Sequence, residues 1–261
     1  LGHGNANVKF GKFNELKLLN IIGKWHVSSF GLVSGIIGNN ETKFSKLFYL
    51  WILVVFYSFI FFTKYSVFHI NSISNSIFIS NLFPVIHQKY WYFTAYFGIY
   101  PFLPFINKSM ILLTELEIKK IIYFIFGVFI ILASYSKDCF HLNSGYSAFS
   151  LFILYILGAY IAKFHFKKIN NNFYRFLIII LCFGLFLLAS LITYYININN
   201  FHQKIYPKFG CLLGSGIISF PIVFEAFLLV IIISQINFHI YLSRIITFIG
   251  PLTFDIYLIH E

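Results

Sequence analysis

Three histidines and one glutamate are the side chains in this sequence best suited to moving a proton. His3 in LGHGN, His26 in KWHVSSF and His260 in the closing FDIYLIHE come to one membrane face if the apolar runs between them alternate in direction. Histidine is the usual general base for a hydroxyl, because its pKa lies near working pH. Each of the three also reads as a helix-end histidine satisfied by backbone or water. Glu225 stands alone in the otherwise charge-free stretch 209–238. An ionisable residue at the centre of an apolar span costs about 2.5–3.5 kcal/mol on insertion scales and is a functional candidate by default. It has three readings: bound to a partner in the bundle, protonated, or lining a cavity. Asp255, in the last apolar run, raises the same question.

The opposite face is basic. Lys43 and Lys46 in ETKFSK form a cationic pair three residues apart, and Lys163, Lys167, Lys168 and Arg175 form a denser cluster in KFHFKKINNNFYR. Such groups hold phosphates as point charges, although lysine lacks the bidentate fork of arginine. Anchoring at the positively charged side of a membrane explains them equally well. The nine histidines have no metal-ligand spacing, so no metal site is expected. No Gly-rich phosphate loop, HExxH or nucleophile elbow occurs, which argues against ATP-driven or metal-dependent chemistry. The three cysteines, Cys139, Cys182 and Cys211, fit no metal pattern either. Buried free thiols are the expectation, with a Cys139 to Cys211 pair as the other possibility.

The elements that must position these residues are apolar helices. Of the 261 residues, 59% are apolar, 22% aromatic and only 10% charged, against about 25% charged in an ordinary soluble domain. Charge-free runs at 47–63, 90–107, 121–136, 142–162 and 176–201, with 209–238 broken only by Glu225, approach or exceed the roughly 17–25 residues a span requires. Weaker runs at 21–38 and 245–259 bring the expectation to about eight membrane helices. The fold class expected is all-α, one polytopic transmembrane helix bundle over 1–261. A β-barrel would alternate polar and apolar residues, whereas FLIIILCFGLFLLASLI at 176–192 is apolar on every face. A large soluble helical protein would need far more charged surface.

The net charge of +11 fits an anionic lipid surface in so apolar a chain, and nucleic acid is not expected as a partner. Lys and Arg counts over the alternating loops, ten on one side and nine on the other, leave orientation to the dense Lys163–Arg175 cluster, whose side is taken as cytoplasmic. The stretch YWYFTAYFGIYPFLPFIN at 90–107 combines a charge-free run with interfacial aromatics at Tyr90, Trp91 and Tyr92. Its Pro101 and Pro104 would kink the helix, and neighbouring helices must then satisfy the freed backbone.

Four stretches in order resemble the acyltransferase 3 family of integral membrane O-acyltransferases. YWYFTAYFGIYPFLPFIN is similar to the family's Tyr-Trp, Thr-Ala-Tyr and Pro-Phe-Asn segment. VSSFGLVSGIIG at 27–38 resembles its second helix, with Phe30, Ser34 and Gly35 on the phenylalanine and Ser-Gly pair. LYILGAYIAKF at 154–164 and TFDIYLIHE at 253–261 resemble its Leu-Tyr, Gly-Ala-Tyr-Ile and terminal Ile-Tyr-Leu-Ile-His words. The resemblance implies transfer of an acyl group, commonly acetyl from acetyl-CoA, to a hydroxyl of a sugar or cell-surface glycan, in a multi-pass protein of a bacterial-type cytoplasmic or plasma membrane. Acyl-CoA is then a co-substrate, with no bound cofactor.

The family's Arg-x-x-Arg pair falls on Lys43 and Lys46, and acyl-CoA binding is carried to these with Lys167 and Lys168. Ser34, Trp91, Tyr96 and Asn107 are the candidate substrate path, and His3, His26, His260 and Glu225 the candidate catalytic set. The family's first helix, with an arginine and the histidine that acts as base, has no counterpart, so the chain is read as truncated at its N-terminus and at its C-terminus. LGHGN is similar to the residues following that histidine, which places the main base upstream of Leu1. A chain that begins at Leu1 is expected to transfer poorly or not at all. Two readings of other classes stay open: a transporter or flippase of a lipid-linked saccharide, for which a kinked helix and an intramembrane glutamate are also suited, and a non-catalytic membrane scaffold.

Overall fold

The computed structural model describes residues 15–38, 43–68, 75–135, 138, 140–164, 169–198, 216–236 and 238–260. Leu1 and His3, with the rest of the segment LGHGN, lie outside the described residues, as do Lys167, Lys168, Cys139 and Cys211. The expectation of a main base upstream of Leu1 therefore falls outside the described residues too. Among the described residues ten α-helices follow one another: α1 Glu15–Ile37, α2 Phe44–Phe68, α3 Asn75–Leu82, α4 Trp91–Ile99, α5 Leu103–Leu112, α6 Glu115–Phe124, α7 Ala148–Phe164, α8 Asn172–Ile198, α9 Phe220–Gln235 and α10 Ile240–His260. No strand occurs among the described residues, so the all-α expectation holds.

Span lengths differ from the expected uniform bundle. Two helices are long and apolar enough to cross a membrane, α2 and residues 172–196 of α8. A third qualifies if the pair Ile240–Gly250 and Thr253–Ile259, bent by 45°, counts as one. The other apolar runs are delivered in shorter pieces, for identifiable reasons. Proline has no N–H and clashes with the preceding turn. Pro101 accordingly falls in a 3₁₀ turn, Tyr100–Phe102, that separates α4 from α5, and Pro104 sits in the first turn of α5. The run after α6 continues as a π-helix, Ile125–Leu132, whose wider turn shortens the axial reach of the same number of residues. The helix α7 has 17 residues, with a turn-rich segment before it.

The centre of the molecule is the crossing of α1 and α7. A Cβ at Gly35 would overlap the Tyr155 carbonyl oxygen, one at Gly158 would overlap the Leu32 carbonyl, and one at Gly31 would stand 2.8 Å from Leu154 Cβ. Small residues one turn apart let two backbones touch, which is how helices associate where lipid offers no hydrophobic drive. Around this crossing lies the main core, with Leu32, Leu151, Leu154, Tyr155 and Ile161 joined by Ala95 and Ile99 of α4 and Val223 and Ala226 of α9. Cys182 on α8 packs with Leu228 and Ile232 of α9 in a separate cluster, a buried free thiol as expected. On its other faces α8 is apolar and exposed, at Phe176, Leu177, Leu181, Phe183, Leu188 and Leu191 among others. A contiguous apolar exterior of this kind suits hydrocarbon and not water.

Polar connections fix the helix ends. Thr114 and Glu117 form a reciprocal capping box at the start of α6: the Thr114 N–H donates to Glu117 Oε2 at 2.8 Å, and the Glu117 N–H points back to Thr114 Oγ1 at 3.4 Å. Those hydrogen bonds from the Thr114 side chain and backbone hold the Glu117 carboxyl below the usual carboxylate range. Near the start of α7, Asp138 accepts from the Leu142 N–H at 2.6 Å and the Asn143 N–H at 2.8 Å. The turn it closes then receives the Ile217 N–H on the Ser144 carbonyl at 2.8 Å, while Ser28 of α1 donates to the Ile217 carbonyl at 2.8 Å. The segment leading into α9 is thereby tied to both α1 and the α7 approach.

Candidate functional site

A seam of tyrosines runs between α1, α4 and α7. Tyr92, Tyr96 and Tyr100 recur every fourth residue, which places them on one helical face, and the 3₁₀ turn at Pro101 does not interrupt them. Tyr92 is within hydrogen-bonding reach of Ser34 on α1, and its N–H donates to the Tyr257 hydroxyl at 3.2 Å. The Tyr96 ring lies 5.6 Å from that of Tyr100. The Tyr155 hydroxyl donates to Asn107 Oδ1 at 2.9 Å in the buried interior. Gly38 is held against that same hydroxyl, since a Cβ there would overlap it.

Each end of the seam carries one of the charge classes expected from sequence. At one end the His26 and Phe30 rings meet edge-on at 6.4 Å, and Phe30 in turn meets Tyr92 at 6.4 Å. His26 itself is exposed. At the other end the Tyr100 hydroxyl donates to the Lys43 carbonyl at 2.9 Å, and the Lys46 N–H donates to the same carbonyl, also at 2.9 Å. Lys43 and Lys46 are both exposed and open α2. Trp91, half-buried, contacts Tyr146 with ring centroids 4.6 Å apart, ahead of Tyr92 and outside the line of hydroxyls.

Of the residues singled out in sequence, the structure therefore brings together Ser34, Tyr96, Asn107 and the Lys43 backbone, through tyrosines that were not singled out. Tyr92, Tyr100 and Tyr155 were legible in principle: the first two share the spacing of Tyr96, and Tyr155 lies inside LYILGAYIAKF. His260 ends α10 with its side chain outside the described residues, and Asp255 is half-buried on the same helix. Leu1, ahead of which the resemblance places the main base, and His3 lie outside the described residues.

Glu225 stands apart from this seam. It is fully buried on α9, and Thr193 Oγ1 of α8 lies 2.9 Å from its Oε1. Its Oε2 has no hydrogen-bond partner among the described residues. Trp25 Nε1 and the Ser190 and Ser219 hydroxyls are likewise buried without a hydrogen-bond partner among the described residues, each at a cost of about 1–3 kcal/mol. Trp25 packs edge-on against Phe186 of α8 at 5.8 Å, and Ser190 sits one turn from Phe186 and one from Thr193. Among the described residues, no group of three or more metal-ligating side chains comes together.

The architecture and seam together define a class: a helical protein with an apolar exterior whose interior carries a row of tyrosine hydroxyls between His26 and Lys43. Residues 2–261 match the family model described as an acyltransferase domain, that of acyltransferase 3. The chain belongs to that family, whose members are membrane-embedded acyltransferases. No curated protein and no solved structure matches it.

Proposed function

We propose that the protein transfers an acyl group, acetyl in the simplest case, from acyl-CoA to a hydroxyl of a sugar or cell-surface glycan. It does so from within the cytoplasmic or plasma membrane, crossing it about eight times, with α4–α5 and the run 121–136 each making one broken crossing. The observation that supports this most is the tyrosine seam, which joins the Lys43 end to the His26 end through side chains able to hydrogen-bond a thioester or ester carbonyl.

In this reading Lys43 and Lys46, with Lys167 and Lys168, hold the phosphates of acyl-CoA. The acyl group follows Tyr100, Tyr96, Tyr92 and Ser34, with Asn107 fixing the Tyr155 hydroxyl at the side of the path. At the far end a histidine, from upstream of Leu1 or drawn from His3, His26 and His260, takes the proton of the acceptor hydroxyl. The hydroxyl oxygen bonds to the acyl carbon, the carbon–sulfur bond breaks, and the departing thiolate takes up a proton. A base with pKa near working pH contributes typically 10²–10⁴-fold to such a step.

The test uses the protein in proteoliposomes with labelled acetyl-CoA and glycan. Replacing Lys43 and Lys46 by Gln should raise the KM for acetyl-CoA with little change in kcat, and an unchanged KM would remove the coenzyme site. His26→Gln, at the one candidate base whose side chain is placed against the seam, should lower kcat about 100-fold. Retained turnover would exclude His26 and leave the role to His3, His260 or the segment ahead of Leu1.

A further inference from the structure

Thr193 Oγ1 lies 2.9 Å from the Ala189 carbonyl oxygen and 2.9 Å from Glu225 Oε1. A threonine hydroxyl has one proton to donate, and a backbone carbonyl can only accept. If that proton goes to Ala189, the usual back-bond of a hydroxyl inside a helix, the Glu225 contact needs a proton from the carboxyl group. From this geometry we propose that Glu225 is a proton-binding site: a neutral carboxylic acid that donates to Thr193 and so latches α9 to α8.

Its surroundings agree. The side chain is fully buried, and it is the single ionisable residue in α9. Across the interface α8 carries Tyr174, Arg175, Cys182, Tyr194 and Tyr195, and among the described residues none of them is a hydrogen-bond or ion-pair partner of Glu225. Cys182 packs with Leu228 and Ile232 instead. On α1 the titratable neighbours of Trp25 are Lys24, whose side chain lies outside the described residues, and His26, which is exposed and turned to Phe30. Among the described residues no cation pairs with a carboxylate here, and uncompensated buried charge is avoided by taking up a proton.

The site is separate from the tyrosine seam, and only its purpose rests on the acyl-transfer reading. Transfer frees a proton from the acceptor hydroxyl and consumes one at the thiolate, so an acid inside the bundle would be a store between the two. Its existence is tested without turnover. In the protein reconstituted in lipid, the infrared difference between wild type and Glu225→Gln should show the carbonyl stretch of a protonated carboxyl at neutral pH. Carboxylate bands in its place would overturn the proposal. Thr193→Val should leave that group protonated and move its stretch to higher frequency, as the donated hydrogen bond is lost; an unmoved stretch would remove the latch.

Dicyclohexylcarbodiimide supplies an independent readout. The carboxyl oxygen bonds to the carbodiimide carbon, the carboxyl proton goes to nitrogen, and nothing leaves. Peptide mass mapping should find the adduct on Glu225 at neutral pH and progressively less of it as pH rises, and an unlabelled Glu225 would count against the proton. Thermal stability of the wild type should fall as pH rises while that of Glu225→Gln stays flat; parallel curves would contradict the site. Full acyl transfer by Glu225→Gln with the infrared result intact would instead count against a role for the site in acyl transfer.

Discussion

The α1–α7 crossing and the α8–α9 interface solve the problem of helix association differently. At the first, glycines let the backbones touch, so that Gly35 meets the Tyr155 carbonyl and Gly158 the Leu32 carbonyl, and the polar side chains nearby are paired, as Tyr155 is with Asn107. At the second, larger side chains such as Cys182, Leu228 and Ile232 interdigitate, and a single carboxyl meets a single threonine with orphaned polar atoms close in sequence. The contrast teaches where to look for each kind of chemistry. A rigid backbone contact can hold a row of hydroxyls in register, which group transfer requires, whereas a side-chain interface with one ionisable member is suited to gaining and losing a proton.

The largest effect should come from the glycines. Gly35→Leu forces a side chain into the Tyr155 backbone, which cannot rotate away, and should cost about 3 kcal/mol or more, read as loss of folded protein in detergent thermal melts. Gly184 on α8 is the counterpart, with open space around an added Cβ. Gly184→Ala should be neutral or stabilise by up to about 1 kcal/mol through helix propensity. Similar losses for both would break the comparison.

Tyr155→Phe removes the Asn107 hydrogen bond from the tight crossing and should cost about 1 kcal/mol in the same assay, together with a drop in acyl transfer. Across the looser interface, Thr193→Val should cost less, about 0.6 kcal/mol, the average for such bonds between membrane helices. A larger loss there than at Tyr155 would invert the ranking.

The smallest effect lies outside both interfaces, at the α6 cap. The folded Glu117 carboxyl titrates below its unfolded value, so the stability it contributes is present above the unfolded pKa and is lost as pH falls through the folded one. Amide protection in the first turn of α6, taken relative to the intrinsic exchange rate, should fall below about pH 4, near the ordinary carboxylate value. Thr114→Ala should weaken the pH dependence and not abolish it, because the Thr114 hydroxyl is the larger cause of the shift and the backbone N–H bond remains.

Much of this was legible in the sequence because lipid leaves so few choices. An apolar run of about 20 residues has to satisfy its own backbone and becomes a helix, which is why α2, α8 and α9 coincide with charge-free runs. The number of uninterrupted crossings was not legible in the same way. Pro101 announced a break at 90–107, but nothing in IFGVFIIL distinguishes a π-helix from an α-helix, since both bury the same apolar side chains. The site divides likewise. Ser34, Tyr96 and Asn107 stood out by resemblance and do share a seam, while Tyr92 was read as an interfacial anchor and Tyr100 and Tyr155 drew no reading of their own, because tyrosine also serves anchoring and packing. Glu225 was conspicuous as the one charge in its run, yet its partner Thr193 was not, since a threonine in an apolar helix usually bonds its own backbone.

The claim on which the account turns is that the tyrosine seam carries the acyl group. Its most direct measurement is the rate of labelled acetyl transfer from acetyl-CoA to glycan by the protein in proteoliposomes, comparing wild type with Tyr96→Leu and with Tyr123→Leu, a change at an exposed tyrosine of α6. The account predicts that Tyr96→Leu lowers the rate at least about tenfold, 1.4 kcal/mol in transition-state terms, with folding intact, and that Tyr123→Leu does not lower it. Equal rates in all three would contradict it.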